Sequence, residues 1–292
     1  MTDSSSPTQP PSEAEAVPTC FRHPKRETYV RCVRCDRPIC PDCMVQASVG
    51  FHCVECVAKG NREVRQARTP FGGKPTTHPY VTWGIIGLIL VGFVVQQLLG
   101  GTVTARFSMW GGGLVYNGQW ERLLTSAFLH ANIMHLLFNG FAMYLLGPPL
   151  ERWLGHVRFL ALWVLSAVGG SVLSALVDPA QASVGASGAI FGIFGAILIL
   201  GRRMRLDIRF VVGLLVVNLL ITFLVPGIAW TAHIGGLASG IVLAAAYAYL
   251  PVGVAAGDRG RAQTITHTAA VAGYALVLAA ILVWWLVALT GA

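Results

Sequence analysis

Seven apolar stretches constrain this chain more than any other feature. They lie at about residues 82–100, 126–147, 155–177, 185–201, 209–225, 228–250 and 268–290. As a helix, each is long enough to cross roughly 30 Å of hydrocarbon. One such run also reads as a buried core helix; seven in succession do not. Lipid offers no partner for backbone N–H and C=O groups, so a spanning segment must satisfy them internally. The spacing therefore predicts an all-α polytopic membrane protein. Composition agrees: 54% of the residues are hydrophobic and 12% charged, where a soluble domain carries about 25% charged residues.

The basic residues orient the spans. With the N-terminus inside, all 21 Lys and Arg except Arg106 and Arg122 fall in inside segments. The opposite orientation places nearly all of them outside, against the positive-inside rule. The expectation is a multi-pass protein of the cell membrane with its N-terminus cytoplasmic and its C-terminus outside. This topology accounts for the net charge of +8 better than nucleic-acid binding does, since no aromatic residues interleave with the arginines.

Ahead of the spans is a small polar module. Residues 1–19 are rich in Ser, Pro and Glu, show no secretory signal, and read as a disordered tail. All seven cysteines follow between Cys20 and Cys56, in the pairs Cys20-x2-His23, Cys32-x2-Cys35, Cys40-x2-Cys43 and Cys53-x2-Cys56. An odd number of cysteines argues against a simple disulfide framework. Four ligand pairs at this spacing suit two tetrahedral zinc ions. The order resembles the B-box zinc finger, in which the first and third pairs share one ion and the second and fourth the other. That resemblance implies one site from Cys20, His23, Cys40 and Cys43, and another from Cys32, Cys35, Cys53 and Cys56, with His52 as a spare neighbour. The metal is expected to be structural, because so few residues cannot build a sufficient core alone.

Inside the spans, ionisable and polar side chains are costly and mark function by default. They include His130, His135 and Asn139 on the second span, Ser187 at the start of the fourth, Asn218 on the fifth and His233 on the sixth. The fourth and sixth spans both start on the outer side, so Ser187 and His233 lie at similar depth. Gly188 and Gly192 on one, and Gly236 and Gly240 on the other, form small-xxx-small faces on which two helices can meet closely. A serine beside a histidine base is an activated nucleophile. His135 and Asn139 are four apart, hence on one face, and both can donate hydrogen bonds to an oxyanion. Asn218 reads as a polar packing contact.

These motifs together resemble the rhomboid intramembrane protease family: His130-x4-His135-x3-Asn139, Gly185-Ala186-Ser187-Gly188 and His233-Ile234-Gly235-Gly236-x3-Gly240. The resemblance covers roughly residues 80–250. It implies a Ser187–His233 dyad without a catalytic acid, and oxyanion donors at His135, Asn139 and the Ser187 N–H. It also implies a loop shaped by Gly185, an aromatic at Phe191 on which the histidine ring stacks, and a structural histidine at His130. Glu151 and Arg152, in Gly147-x3-Glu151-x3-Gly155, match a folding motif at the cytoplasmic end. The segment 101–122 corresponds to the family's lateral loop. Its Trp-Arg pair is interrupted here by Glu121; Arg122 keeps its distance to His130, whereas Trp120 does not keep its place beside the arginine.

The expected organisation is a tail at 1–19, a B-box-like zinc domain at 20–57, a linker at 58–80 and a six-helix rhomboid core at 81–250. A cytoplasmic loop and a seventh, C-terminal transmembrane helix would occupy 251–292. The implied activity is an intramembrane serine endopeptidase that cuts single-span membrane proteins near the outer face, without a catalytic metal. A cytoplasmic protein is a candidate partner for the zinc domain. The competing reading is a non-catalytic rhomboid-like scaffold that binds membrane helices; such relatives typically lack the serine or the histidine. A transporter would show related halves with interrupted helices, and no clear internal repeat is present.

Overall fold

The computed structural model describes residues 17–63, 67–250 and 259–290. Most of the expected tail, and the 251–258 loop, lie outside the described residues. The chain divides into two compact units between Gln66 and Ala67.

The first unit is built around its cysteines. Strands β1 (Thr19–Cys20) and β2 (His23–Glu27) pair antiparallel, as do β3 (Met44–Gln46) and β4 (Phe51–Cys53). Helix α1 (Val54–Glu63) follows, so residues 58–63, expected in a linker, continue the helix that carries Cys56. The turn after Cys32 closes when the Asp36 N–H donates to the Cys32 carbonyl at 2.8 Å. Among the described residues only Ile39 and five cysteines are fully buried hydrophobics here, too little apolar area to hold a fold unaided.

The second unit is helical: α2 (Tyr80–Leu99), α3 (Gly101–Phe107), α4 (Gly111–Asn117), α5 (Arg122–Thr125), α6 (Ile133–Leu154), α7 (His156–Val177), α8 (Ser187–Arg203), α9 (Arg209–Leu224), α10 (Trp230–Tyr249) and α11 (Arg259–Thr290). Five of these, α2, α6, α7, α10 and α11, are long and apolar enough to cross a membrane. The other two expected spans are shorter. Helix α8 has 17 residues and α9 has 16, about 24–26 Å at 1.5 Å per residue. For α8 the reason is plain: residues 188–197 are buried without a break, and a helix wrapped by protein need not match the lipid thickness.

Two boundaries differ from the hydropathy reading. The second span does not start at 126; a 3-10 turn (Ser126–Phe128) and a short bend come first. The Asn132 side chain then caps α6 by accepting the His135 N–H at 2.9 Å, which fixes the helix start. The same helix runs on through Pro148 and Pro149 to Leu154. Its far end is anchored by Glu151, which is 0% exposed. That carboxylate accepts the Val81 N–H (3.0 Å), the Thr82 N–H (2.8 Å) and the Thr82 hydroxyl (2.6 Å), and also meets His156. It thereby satisfies the orphan donors at the start of α2 from another helix. Arg152, paired with Glu151 in the sequence reading, is exposed; the side chain that meets Glu151 is the half-buried His156.

Helices α7, α8 and α10 form the centre. A Cβ at Gly236 would land on the Gly188 carbonyl, and one at Gly240 on the Gly192 carbonyl. On the α7 side, a Cβ at Gly170 would come within 2.6 Å of the Ala232 carbonyl. Backbones this close exclude any side chain between them. Around this trio pack Phe159, Trp163, Ile193 and Phe194, all fully buried. Helix α11 lies along α7 through Leu278, Leu282 and Trp285, and the Tyr274 hydroxyl donates to Ser239 of α10 at 2.7 Å.

Candidate active site

The glycine contacts of α8 and α10 fix the distance between two side chains. Ser187 is the first residue of α8 and His233 lies in the first turn of α10. Ser187 Oγ is 2.7 Å from His233 Nε2. The imidazole lies flat on Phe191, one turn beyond Ser187, with ring centroids 4.3 Å apart and planes at 11°. Its other nitrogen, Nδ1, is 2.7 Å from the Thr222 hydroxyl of α9.

Gly185 needs to be glycine. Its φ of +126° is closed to ordinary L-residues. A Cβ there would also stand 2.6 Å from His135 Cε1, 2.8 Å from His135 Nε2 and 3.6 Å from Ser187 Oγ. His135 and Ser187 thus converge on the space that Gly185 leaves open. The Gly185 N–H donates to the Ser126 carbonyl at 2.9 Å, tying this loop to the turn before α6.

Three groups on α6 and α8 can donate hydrogen bonds. His135 Nδ1 accepts the Ala131 N–H at 3.4 Å, which leaves the ring proton on Nε2, the nitrogen beside Gly185. Asn139 is buried one turn further along α6 and donates one amide hydrogen to the His135 carbonyl at 2.8 Å. The Ser187 N–H is at the helix start, where no carbonyl four residues back is helical and the dipole is positive. His135 Nε2 and the Ser187 N–H therefore lie beside a hydroxyl in contact with an imidazole, a set of groups that can perform acyl transfer.

His130 is not on the second span. It lies in the bend before α6, 0% exposed, with its ring edge-on to His135 at 5.1 Å. Gln96 of α2 grips its backbone from both sides: the amide oxygen accepts the His130 N–H (2.9 Å) and the amide nitrogen donates to the His130 carbonyl (3.1 Å). Arg122 is buried and holds the preceding segment, donating to the Ser108 carbonyl (2.6 Å), the Ala105 carbonyl (2.9 Å) and Gln119 (2.6 Å). Trp120 is exposed, and Glu121 pairs with Arg106. Met109 and Ser183 exchange two backbone hydrogen bonds of 2.9 Å, so the 101–122 segment is stitched to the loop before Ser187. Asn218 does not reach the site with its side chain, which donates to the Leu214 carbonyl at 2.8 Å. Sequence reasoning missed Gln96 and Thr222. The available signal was weak: a polar side chain in an apolar run and, for Thr222, a place one helical turn after Asn218.

In the first unit the eight expected ligands form two clusters, Cys20–His23–Cys40–Cys43 and Cys32–Cys35–Cys53–Cys56, each with its ligand atoms within 4.8 Å of one another. Both can hold a metal ion. His52 belongs to neither. His23 Nδ1 is 3.8, 3.3 and 3.5 Å from the sulfurs of Cys20, Cys40 and Cys43, and the Cys35 and Cys53 sulfurs are 3.8 Å apart. A tetrahedral ion with Zn–S bonds of about 2.3 Å separates its sulfurs by about 3.8 Å, so the residues fit zinc. Burial opposes ionisation of Cys20 and Cys32. Backbone N–H groups of Cys40, Arg22 and His23 around the first sulfur, and of Cys53, Arg34 and Cys35 around the second, outweigh it and bring both thiols down to about 6.

Comparisons with known proteins point the same way as the geometry. A family model described as "Rhomboid domain" matches residues 117–250. The chain is 36% identical over 196 residues to "Rhomboid protease GluP" of Bacillus subtilis (strain 168), covering 64% of this chain and 38% of that protein. It is 39% identical over 135 residues to "Putative rhomboid protease YdcA" of the same organism, covering 44% of this chain and 68% of that one. "RHOMBOID-like protein 4" of Arabidopsis thaliana is 39% identical over 129 residues, which is 42% of this chain and 32% of the relative. The chain thus spans less than two fifths of the first and third of these relatives, and about two thirds of the second.

Proposed function

This chain belongs to the rhomboid family, and on that premise we propose that it is an intramembrane serine endopeptidase with Ser187 as nucleophile and His233 as base. The observation that carries the reading is the 2.7 Å contact between Ser187 Oγ and His233 Nε2, within the reach a general base needs. His233 takes the hydroxyl proton on Nε2 as Ser187 Oγ attacks a peptide carbonyl. The Ser187 N–H, His135 Nε2–H and the Asn139 amide receive the oxyanion. His233 then returns the proton to the leaving amine, and water releases the acyl group by the same steps in reverse order.

The substrates of this reading are single-span membrane proteins, cut close to one face of the bilayer, and the protein resides in the cell membrane with its N-terminus in the cytoplasm. Basic residues on the expected inner side support that orientation. The cysteine module is a B-box-like structural domain with two zinc ions held by the two clusters described above. Full-length protein should carry two zinc ions per chain by elemental analysis, and Cys43→Ser should carry fewer; a metal content unaffected by that change would contradict the assignment.

The test of the protease reading is cleavage of a model single-span substrate in liposomes by wild type and Ser187→Ala. Cleavage by wild type alone is the expected result. Equal cleavage by Ser187→Ala would remove Ser187 from the chemistry. A folded wild type that binds membrane helices and cuts none would favour the scaffold reading instead.

A further inference from the structure

A serine and histidine in contact can be arranged unproductively. If Nε2 carries the imidazole proton it donates to Ser187, and the base has no lone pair for the hydroxyl hydrogen. Which arrangement holds depends on what faces Nδ1. Among the described residues that group is the Thr222 hydroxyl, 2.7 Å away and buried. A hydroxyl can donate or accept, so its own commitment decides. Thr222 Oγ1 donates its single hydrogen to the Asn218 carbonyl one turn back on α9, at 2.7 Å. It is left with lone pairs only, and the hydrogen in the contact with the histidine must come from Nδ1. Nε2 is then bare and accepts from Ser187.

We infer that Thr222 is a positioning residue that holds His233 in the Nδ1–H tautomer, doing with a hydroxyl what a carboxylate does in a triad. The inference rests on the protease reading above. During attack the serine proton moves to Nε2, the Nδ1–H stays on Thr222, and the resulting imidazolium keeps both hydrogen bonds. Phe191, stacked on the ring at 4.3 Å, blocks tilting out of this plane. Among the described residues no carboxylate is a hydrogen-bond or ion-pair partner of His233, so none of them competes for Nδ1. The placement has a second consequence. Among the described residues of α9 only Leu215 and Thr222 are buried. The tautomer of the base is therefore tied to the seating of a helix that few other contacts hold.

The experiment compares wild type, Thr222→Val and Thr222→Ser in the liposome assay. Valine keeps the shape and removes the acceptor, leaving a buried N–H unpaired. The expected result is a fall in kcat of about 10- to 100-fold with KM within about twofold, while serine retains kcat within about threefold of wild type. Wild-type kcat in Thr222→Val, an equal loss in Thr222→Ser, or a loss confined to KM would each overturn the inference while leaving the protease reading intact. Wild type that cuts nothing would instead remove the premise, and the inference with it. Should Thr222→Val not fold, nitrogen-15 spectra of the wild-type imidazoles decide, with His233 assigned by its absence in His233→Asn. A protonated Nδ1 and bare Nε2 are expected; the reverse overturns the inference.

Discussion

The two helices that meet at the histidine's two nitrogens are held in opposite ways. Helix α8, which brings Ser187 to Nε2, is buried without a break over residues 188–197, and its glycines touch the backbone of α10. Helix α9, which brings Thr222 to Nδ1, is mostly apolar and buries only Leu215 and Thr222, with Val216, Val217, Leu220, Ile221, Phe223 and Leu224 exposed. Close-packed backbones admit one arrangement, because any shift creates overlap or a void. A helix that presents most of its side chains to lipid can tilt or slide at little cost, since lipid tails are as apolar as its neighbours. The Ser187–His233 distance is thus fixed by the rigid pair, and the contact at Nδ1 by the looser helix.

This contrast can be broken most severely at the α8–α10 seam. Gly236→Leu places a side chain where the Gly188 carbonyl stands. Backbone cannot rotate away as a side chain does, so the loss should exceed about 3 kcal/mol. Thermal unfolding in detergent micelles should show a large drop in midpoint together with loss of any cleavage. The same substitution on α9 sharpens the comparison from the other side. Nothing within 4 Å faces a Cβ at Gly213, so Gly213→Leu should change stability by no more than about 1 kcal/mol, in the stabilising direction that helix propensity favours. Equal damage from the two leucines would show that α9 is packed as tightly as α8.

The sequence made much of this arrangement legible, and the reason is specific. In an apolar helix an ionisable or hydroxyl group stands out, and a glycine every fourth residue beside it declares which face meets another helix. Ser187 with Gly188 and Gly192, and His233 with Gly236 and Gly240, carry both signals. His130 lies outside the helix that the hydropathy reading gives it, because Ala127, Phe128 and Leu129 extend the apolar stretch towards the N-terminus, whereas a single side chain, Asn132, sets where α6 starts. Gln96 and Thr222 stayed hidden for another reason. Each is ordinary on its own helix, and its role comes from a partner on another element: the His130 backbone for Gln96, the His233 ring for Thr222. Glu151 was legible as part of a motif, yet its partners, the N-terminus of α2 and His156, depend on packing across the bundle.

The central claim is that Ser187 is a nucleophile made reactive by His233, and covalent labelling tests it without any assumption about substrate. Wild-type protein in liposomes would be treated with a fluorophosphonate and the modified residue located by peptide mass spectrometry, beside His233→Asn. Label on Ser187 is expected in wild type, with its near-complete loss in His233→Asn. Label on another serine, or undiminished labelling of Ser187 without the histidine, would contradict it.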